Sequence, residues 1–279
     1  MTEDTPSSQE NQAEPEEENI DPKDQENDNE SEESFLTEEE SEHTALSSQE
    51  STKTERTVMI YLCGSDLESG GGFATGSIRQ ILASAFSKEE RIRVIVMTGG
   101  TDHWFTPSEW LIDPSSGTSP QQISHEYNQI WEARGTDAPT DAGKLVLLDP
   151  DGVTGDGEDA VPSRIELMTL PSTLKKFIDY CAEIAPAERY DLILWDHGNG
   201  PVNSYGPDEN KPLLKMNLDG IREALSDNEI IRSGKKFDSV NFDACLMGSV
   251  EVVMALYDLT HCLILSPESI PADGQYYID

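Results

Sequence analysis

The stretches that decide the fold are residues 192–200, which read LILWDHGNG, and residues 240–248, which read VNFDACLMG. Each begins as an apolar run typical of a strand and ends on a reactive side chain, His197 in the first and Cys245 in the second. Strands of a parallel sheet are buried on both faces and read as nearly continuous apolar runs. In open α/β sheets, chemistry takes place beyond the carboxyl ends of such strands. We therefore expect His197 and Cys245 to leave the same edge of one sheet, although 48 positions separate them.

Strand-like and helical patterns alternate along most of the chain, which predicts an α/β fold of three layers (α/β/α) around a mostly parallel central sheet. Residues 64–76 are rich in glycine and are expected to form a loop. Between 99 and 150, short runs separated by turn residues indicate an antiparallel excursion. The predicted strands are 57–63, 92–97, 190–195, 237–242 and 261–265, and the predicted helices are 77–86, 171–184, 217–225 and 247–257.

Acidic residues are concentrated at the start of the chain. The 279 residues hold 55 Asp or Glu against 19 Lys or Arg, a formal charge of −36, and residues 1–50 hold 19 of these acids with a single Lys. This stretch offers too little apolar surface to offset the entropy that ordering would cost. We therefore expect residues 1–55 to be a disordered acidic leader. A solvated spacer or tether is the first interpretation, and an acidic interaction tail is the alternative. Residues 56–279 are long enough for one domain with its own core.

Composition and spacing exclude several classes of protein. The excess of acid argues against nucleic-acid binding, which needs clustered Lys or Arg. No window approaches the roughly 20 apolar residues of a membrane span. The acidic loop 149–159 does not fit the EF-hand template for calcium. The glycine-containing stretch 70–76 lacks the glycine spacing of a dinucleotide-binding site, and it also lacks the Lys of a phosphate-binding loop. Three cysteines in strands or a helix, none spaced C-x-x-C, are expected to be packing thiols rather than disulfide or metal residues: Cys63, Cys181 and Cys262.

Cys245 and His197 have the residue types of a nucleophile and its base. A thiol is mostly protonated at neutral pH, so a nucleophilic cysteine needs a nearby base or a helix N-terminus. Cys245 is predicted to lie just before a helix that begins near Met247, and His197 can form an ion pair with its thiolate. Backbone amides at Gly198 and Cys245 can stabilise an oxyanion. A loop histidine and a core cysteine remain the alternative on residue types alone.

Two aspartates next to this pair and three other histidines are further candidates for chemistry. Asp196 and Asp243 precede the two strand ends, and either can orient His197 unless strand alternation points it away. The remaining histidines are weaker candidates because they lie inside the excursion or at the start of a strand: His103, His125 and His261.

At these residues the chain resembles the clostripain family of cysteine peptidases, which share the caspase–gingipain fold. The family's W-x-H-G-x-G motif appears here at 195–200, and its F-D-A-C-L-M motif appears at 242–247. TVMIYLCGSDLES at 57–69 and MTLPSTLKKFIDYC at 168–181 also resemble family segments. The resemblance covers residues 56–276, and its two long motifs occur in the order that the family has.

The resemblance implies a cysteine endopeptidase that cleaves proteins after Arg or Lys with a Cys245–His197 dyad. The family's S-x-E-x-x-P-x-x-G segment appears at 266–274, which makes Asp273 the first choice and Asp243 the second for the pocket that receives the basic side chain. The pattern departs at Gln275, where the family often has Trp. Self-cleavage between the two motifs and a calcium requirement both occur in the family.

The resemblance extends to processing and location. Lys215 and Lys211 are the candidate processing residues, although Pro212 disfavours cleavage after Lys211. Calcium is compatible with the acidic surface, but no ligand can be named.

We expect a secreted or surface-tethered monomer that acts on proteins or peptides with exposed Arg or Lys. Because the fold normally continues beyond the pocket segment, we also expect the chain to be a fragment or a truncated product.

Two alternatives to the peptidase stay open. One is a catalytically inactive relative that serves as a surface binding module. The other is a cysteine hydrolase of caspase-like fold with a different side-chain preference.

Overall fold

The computed structural model describes residues 54–84, 86, 91–116, 119–136, 143–149 and 166–277, all within the unit Glu50–Asp279. The predicted acidic leader lies outside these residues, except for Thr54 and Glu55, which begin the first strand instead of ending the leader. All of the acidic loop 149–159 except Asp149 also lies outside them.

The strands are β1 Thr54–Cys63, β2 Ile92–Gly99, β3 Leu111–Ile112, β4 Gln129–Arg134, β5 Lys144–Asp149, β6 Ala187–Trp195, β7 Phe237–Asp243 and β8 Thr260–Ile264. The α-helices are α1 Ser65–Gly71, α2 Phe73–Ala83, α3 Pro171–Ile184, α4 Leu218–Ser226, α5 Glu229–Arg232 and α6 Val250–Leu256, and a short 3-10 helix covers Ser108–Trp110.

One sheet holds all the described strands in the order β3-β5-β4-β2-β1-β6-β7-β8. Strands β2, β1, β6, β7 and β8 run parallel to one another, whereas β4 is antiparallel to both β2 and β5. The predicted antiparallel excursion is therefore confirmed, and it occupies one side of the sheet. The parallel half carries the two stretches that decide the fold.

Helices cover both faces of the sheet, as β1 illustrates. Its alternate residues Met59 and Tyr61 pack into one core with α3, α4, α5 and α6. Ile60 and Leu62 pack into the other core with α2. All four side chains are at most 2 % exposed. This double burial explains why β1 reads as a continuous apolar run. The predicted three-layer α/β/α class is confirmed.

Local sequence signals account for the starts of three of the helices. Pro171 begins α3, where its missing N–H costs no hydrogen bond. Asn217 and Ser249 cap α4 and α6 by accepting from the amides of Gly220 and Val252. The predicted glycine-rich loop at 64–76 is wrong, because most of it forms α1 and the start of α2. Among the described residues, no helix is both long enough and apolar enough to span a membrane.

An ion-pair cluster joins three neighbouring strands near their amino ends. The guanidinium of Arg56 in β1 contacts Asp191 of β6, and it donates a 2.9 Å hydrogen bond to Asp238 of β7. Ser239 also donates to Asp191, at 2.5 Å. The chemistry-bearing residues lie at the opposite, carboxyl end of the same strands.

Candidate active site

The strands that precede His197 and Cys245 are neighbours, parallel and in register. Leu194 of β6 is level with Phe242 of β7, and Trp195 is level with Asp243. His197 follows Trp195 by two positions, and Cys245 follows Asp243 by two. The structure therefore brings both predicted residues to one edge of the sheet, at the same distance beyond their strands.

Gly198 packs directly against the backbone of Cys245. A Cβ atom built on Gly198 would lie 2.0 Å from the carbonyl oxygen of Cys245 and 2.7 Å from its amide nitrogen. Only glycine permits this approach, because real Cβ atoms do not come within 3.0 Å of such atoms. Among the described residues, no acceptor receives a hydrogen bond from the amide of Gly198 or of Cys245. The amides of Gly198 and Cys245 are thus two N–H groups without a partner in the described part of the protein.

The imidazole of His197 is held by a residue that the sequence did not suggest. Nε2 of the ring lies 3.0 Å from Oδ1 of Asp66 in α1, and the ring is about one-third exposed, at 37 %. Within the part of the chain that the structure describes, no hydrogen bond joins this ring to Cys245. The signal in the sequence is that Asp66 follows the predicted first strand and so lies at the carboxyl edge of the sheet, although the sequence does not tell that this strand is next to β6.

The Cys245 thiol is partly exposed and faces a backbone segment. Sγ accepts from the amide of Ile270 at 3.3 Å and lies 3.7 Å from the carbonyl oxygen of the same residue. The next residue, Leu246, has a left-handed backbone with φ 62°. A non-glycine residue pays about 1–2 kcal/mol for that conformation. The strained residue thus directly follows Cys245.

The predicted helix behind Cys245 begins later than expected. α6 starts at Val250 rather than near Met247, with Ser249 as its N-cap. Cys245 therefore lies several residues before the first turn, and the effect of a helix dipole falls off within that turn. The prediction that a helix N-terminus stabilises the Cys245 thiolate is therefore wrong. A nearby base remains as the group that can activate the thiol.

Among the hydrogen bonds of the described residues, none joins the His197 ring to either aspartate that was expected to orient it. Asp196 is buried, and its Oδ1 accepts from the backbone amide of His197 at 2.6 Å. Burial raises the pKa of the Asp196 carboxyl well above its ordinary value. Asp243 accepts from the amide of Gln275 at 2.9 Å and from the hydroxyl of Tyr277 at 2.5 Å. Burial is also the main cause of the raised pKa of Asp243.

The two candidate pocket residues differ in their access to solvent. Asp243 is 2 % exposed and holds the segment 266–277 in place, whereas the Asp273 carboxylate is exposed on that segment. The charge of Asp273 contributes to the raised pKa of Asp243, so the two carboxylates lie near each other. Gln275, at the position where the sequence departs from the family, exchanges two side-chain hydrogen bonds with Asn241, at 2.7 and 2.9 Å.

The two candidate processing lysines lie in different surroundings. The Lys215–Met216 peptide bond is protected, because the amide and carbonyl of Met216 both bond to Tyr205. Lys211 lies at an exposed turn in which the amide of Leu214 donates to its carbonyl oxygen at 2.8 Å. Pro212 follows Lys211 directly. In this conformation, the peptide bond after Lys215 is protected and the bond after Lys211 is followed by proline, so neither is a favourable cleavage site.

Within the described residues, the other three cysteines and His103 make no hydrogen bond to the His197 ring or the Cys245 thiol. Cys63 and Cys181 are buried, as predicted for packing thiols, whereas the expected packing role is wrong for Cys262, which is exposed on β8. The ring of His103 packs edge-on against Phe105. Within the described ranges, no three His, Cys, Asp or Glu side chains form a cluster that could hold a metal ion.

The family model described as "Clostripain family" matches residues 60–279. The chain belongs to the clostripain family. It is 26 % identical over 214 residues to clostripain from Hathewaya histolytica, an alignment that covers 74 % of this chain and 37 % of that protein. The chain thus spans little more than a third of its curated clostripain relative.

Two solved structures of C11 proteases share the fold of this clostripain-family chain. One is a secreted C11 cysteine protease from Bacteroides thetaiotaomicron bound to an irreversible peptide inhibitor, with a TM-score of 0.56, 21 % identity and coverage of 80 % of this chain and 51 % of that one. The other is an inactive zymogen C11 protease from Parabacteroides distasonis, with a TM-score of 0.52, 24 % identity and coverage of 81 % and 52 %.

Proposed function

We propose that this chain is a cysteine endopeptidase that cleaves proteins after Arg or Lys, with Cys245 as nucleophile and His197 as general acid and base. The observation that carries the proposal is the register of β6 and β7, together with the contact of Gly198 on the Cys245 backbone. Membership of the clostripain family supports the same chemistry.

In the first half-reaction, the Cys245 thiolate attacks the scissile carbonyl carbon and an S–C bond forms. The carbonyl oxygen becomes an oxyanion, which the amides of Gly198 and Cys245 are free to bind. Protonated His197 then gives its proton to the leaving amine as the C–N bond breaks. The product is an acyl-enzyme with a neutral imidazole.

In the second half-reaction, water replaces the amine. His197 takes a proton from the water as its oxygen attacks the acyl carbon. The S–C bond breaks, the carboxylic acid product leaves, and the thiolate and imidazolium are restored. The sum of both halves is hydrolysis of one peptide bond by one water molecule.

The proposed preference for Arg or Lys rests on two carboxylates at the site. Asp273 is exposed and able to pair with an incoming guanidinium or ammonium group. Asp243 is buried and already accepts from Gln275 and Tyr277, so its proposed part is to hold the wall that carries Asp273. Asp273 is therefore the first residue to test for specificity.

Processing, location and calcium belong to the same proposal. Self-cleavage after Lys211 or Lys215 would require the 206–217 segment to leave its present hydrogen bonds. The similarity to a secreted C11 protease supports an extracellular location. A calcium requirement would appear as a loss of cleavage in EDTA that added Ca²⁺ restores.

Paired fluorogenic peptides ending in Arg, Lys and Asp test the proposal. We expect cleavage after Arg and Lys, and no cleavage above background by the Cys245→Ala and His197→Ala variants. Asp273→Asn should raise KM for the Arg peptide more than for a peptide with an uncharged residue at that position.

Other outcomes would favour the alternatives. Equal background rates for the wild type and Cys245→Ala would favour an inactive binding module, for which the separate hydrogen bonds of His197 and Cys245 are the supporting observation. Cleavage after Asp alone would favour a hydrolase of different specificity.

A further inference from the structure

The hydrogen bond between Asp66 and His197 joins two neighbouring strands above the sheet. Asp66 follows β1, and β1 pairs directly with β6, the strand that leads to His197. Oδ1 of Asp66 lies 3.0 Å from Nε2 of the ring. Within the described part of the chain, this is the only carboxylate that hydrogen-bonds to the His197 ring. The side chain of Asp66 is otherwise 66 % exposed, so it does not serve the core.

The backbone immediately before Asp66 is strained. Ser65 has φ 47°, and Leu246 has φ 62°; they are the two non-glycine residues with positive φ among the described residues. One immediately precedes Asp66, and the other immediately follows Cys245. Strained residues of this kind cluster at functional sites, where the surrounding structure holds them.

Contacts around Ser65 supply that support. Its side chain is completely buried, and its amide donates to the carbonyl oxygen of Gly100 at 3.1 Å. The preceding amide, of Gly64, donates to Gly99 at 2.8 Å. These bonds tie the Ser65 turn to the end of β2, so Asp66 is presented from a fixed backbone rather than from a free loop.

We propose that Asp66 is the positioning residue of the dyad: it accepts a hydrogen bond from Nε2 of His197 and so directs Nδ1 toward the thiol of Cys245. The hydrogen bond made by one ring nitrogen decides which tautomer and orientation the other presents. A carboxylate in this place also stabilises the imidazolium that forms during the reaction without taking up the proton. The inference rests on the proposed function, because it assigns a part in the same dyad.

Three substitutions at Asp66 test the proposal. Asp66→Asn and Asp66→Ala should each lower kcat by about 10²-fold, the cost of misplacing a catalytic group by about 1 Å. KM should change little, because Asp66 acts through His197 and does not touch the substrate. Asp66→Glu, which keeps the carboxylate, should retain more of kcat than either.

Alkylation of Cys245 by iodoacetamide supplies a readout that needs no peptide substrate. The thiolate displaces iodide, so the rate reports how well His197 maintains the ion pair. Exposed Cys262 is alkylated in the same molecule and serves as the internal reference, with the two sites separated by peptide mass mapping. We expect the ratio of Cys245 to Cys262 alkylation to fall in Asp66→Asn and Asp66→Ala.

Asp102→Asn is the matched control, because it removes the same charge from an exposed residue in the loop after β2. It should leave kcat and the alkylation ratio unchanged. Unchanged kcat and alkylation in Asp66→Ala would overturn the proposal, as would faster alkylation, which would make the bond a restraint that keeps His197 away. Cleavage by Cys245→Ala at the wild-type rate would instead overturn the proposed function, and the alkylation ratio would still report on Asp66.

Discussion

Gly198 is the residue at which the addition of one methyl group should most reduce both activity and stability. In Gly198→Ala, the new carbon would meet the Cys245 carbonyl oxygen at 2.0 Å, so the ends of β6 and β7 must separate. We expect loss of peptidase activity and a drop of about 1–3 kcal/mol in the free energy of unfolding, typical of overpacking. Urea unfolding and the peptide assay measure the two effects.

Gly76 in α2 offers the matched control for that prediction. A Cβ atom built there meets nothing within 4 Å, and the residue lies inside a helix. Gly76→Ala should stabilise the protein by about 0.5–1 kcal/mol, since alanine is the better helix former. If both alanine variants unfold at the same urea concentration, close packing at Gly198 is not what determines its effect.

Asp196 should make stability depend on pH in an unusual direction. Because burial raises its folded pKa above 3.8, the folded protein binds a proton at pH values where the unfolded chain has released it. The contribution of Asp196 is therefore most favourable near pH 4 and is lost as the pH rises through its folded pKa. Asp196→Asn removes this titration. We therefore expect the free energy of unfolding of the variant, minus that of the wild type, to be larger at pH 8 than at pH 4. Urea unfolding at both pH values measures the difference, and a constant difference would contradict the prediction.

Among the elements, the segment 266–277 is held in part by its last residue, Tyr277. The Tyr277 hydroxyl donates to Asp243 at 2.5 Å, and the amide of Tyr277 donates to Gln80 of α2 at 2.9 Å. Tyr277→Phe leaves a buried carboxylate short of one donor, which costs about 1–3 kcal/mol. We expect a lower urea midpoint and a higher KM for Arg peptides, because the same segment carries Asp273.

Tyr276→Phe is the control for this prediction. Tyr276 is 77 % exposed, and removal of its hydroxyl should change neither the urea midpoint nor KM. Equal behaviour of the two phenylalanine variants would show that the bond from Tyr277 to Asp243 does not hold the segment.

The sequence predicted the elements that bury continuous apolar surface and missed those that depend on distant partners. The helix at Pro171–Ile184 and the strands β6 and β7 lie where periodicity and apolar runs placed them. α1 was predicted to be loop because its glycines disfavour a helix. Its Glu68 carboxylate accepts from Thr75 and from Phe105, contacts that local propensity does not contain.

The site shows the same division. His197 and Cys245 could be predicted because each follows a recognisable strand. The partners that hold their side chains, Asp66 and Ile270, come from other segments of the chain. Strand order decides those contacts, and a single sequence does not give the order in which β1, β6 and β7 pair.

The net charge of the whole molecule bears on how substrates arrive. A formal charge of −36 creates an attractive field for peptides rich in Lys or Arg. We expect kcat/KM for an Arg peptide with flanking lysines to fall on the order of ten-fold between low salt and 0.5 M NaCl. The same peptide with flanking glutamates should show a weak or opposite dependence. Equal salt dependence for both peptides would contradict the prediction.

The cluster around Arg56 has a consequence for how the protein is made. Arg56 lies 135 positions before Asp191 and 182 before Asp238, so its partners leave the ribosome long after it does. Until then, one edge of β1 has no neighbour and is open to pairing with other chains. Contacts this distant in sequence slow folding, because the intervening chain must be ordered before they form. A cell that produces this protein must therefore shield a long apolar strand while the 135 positions between Arg56 and Asp191 are synthesised.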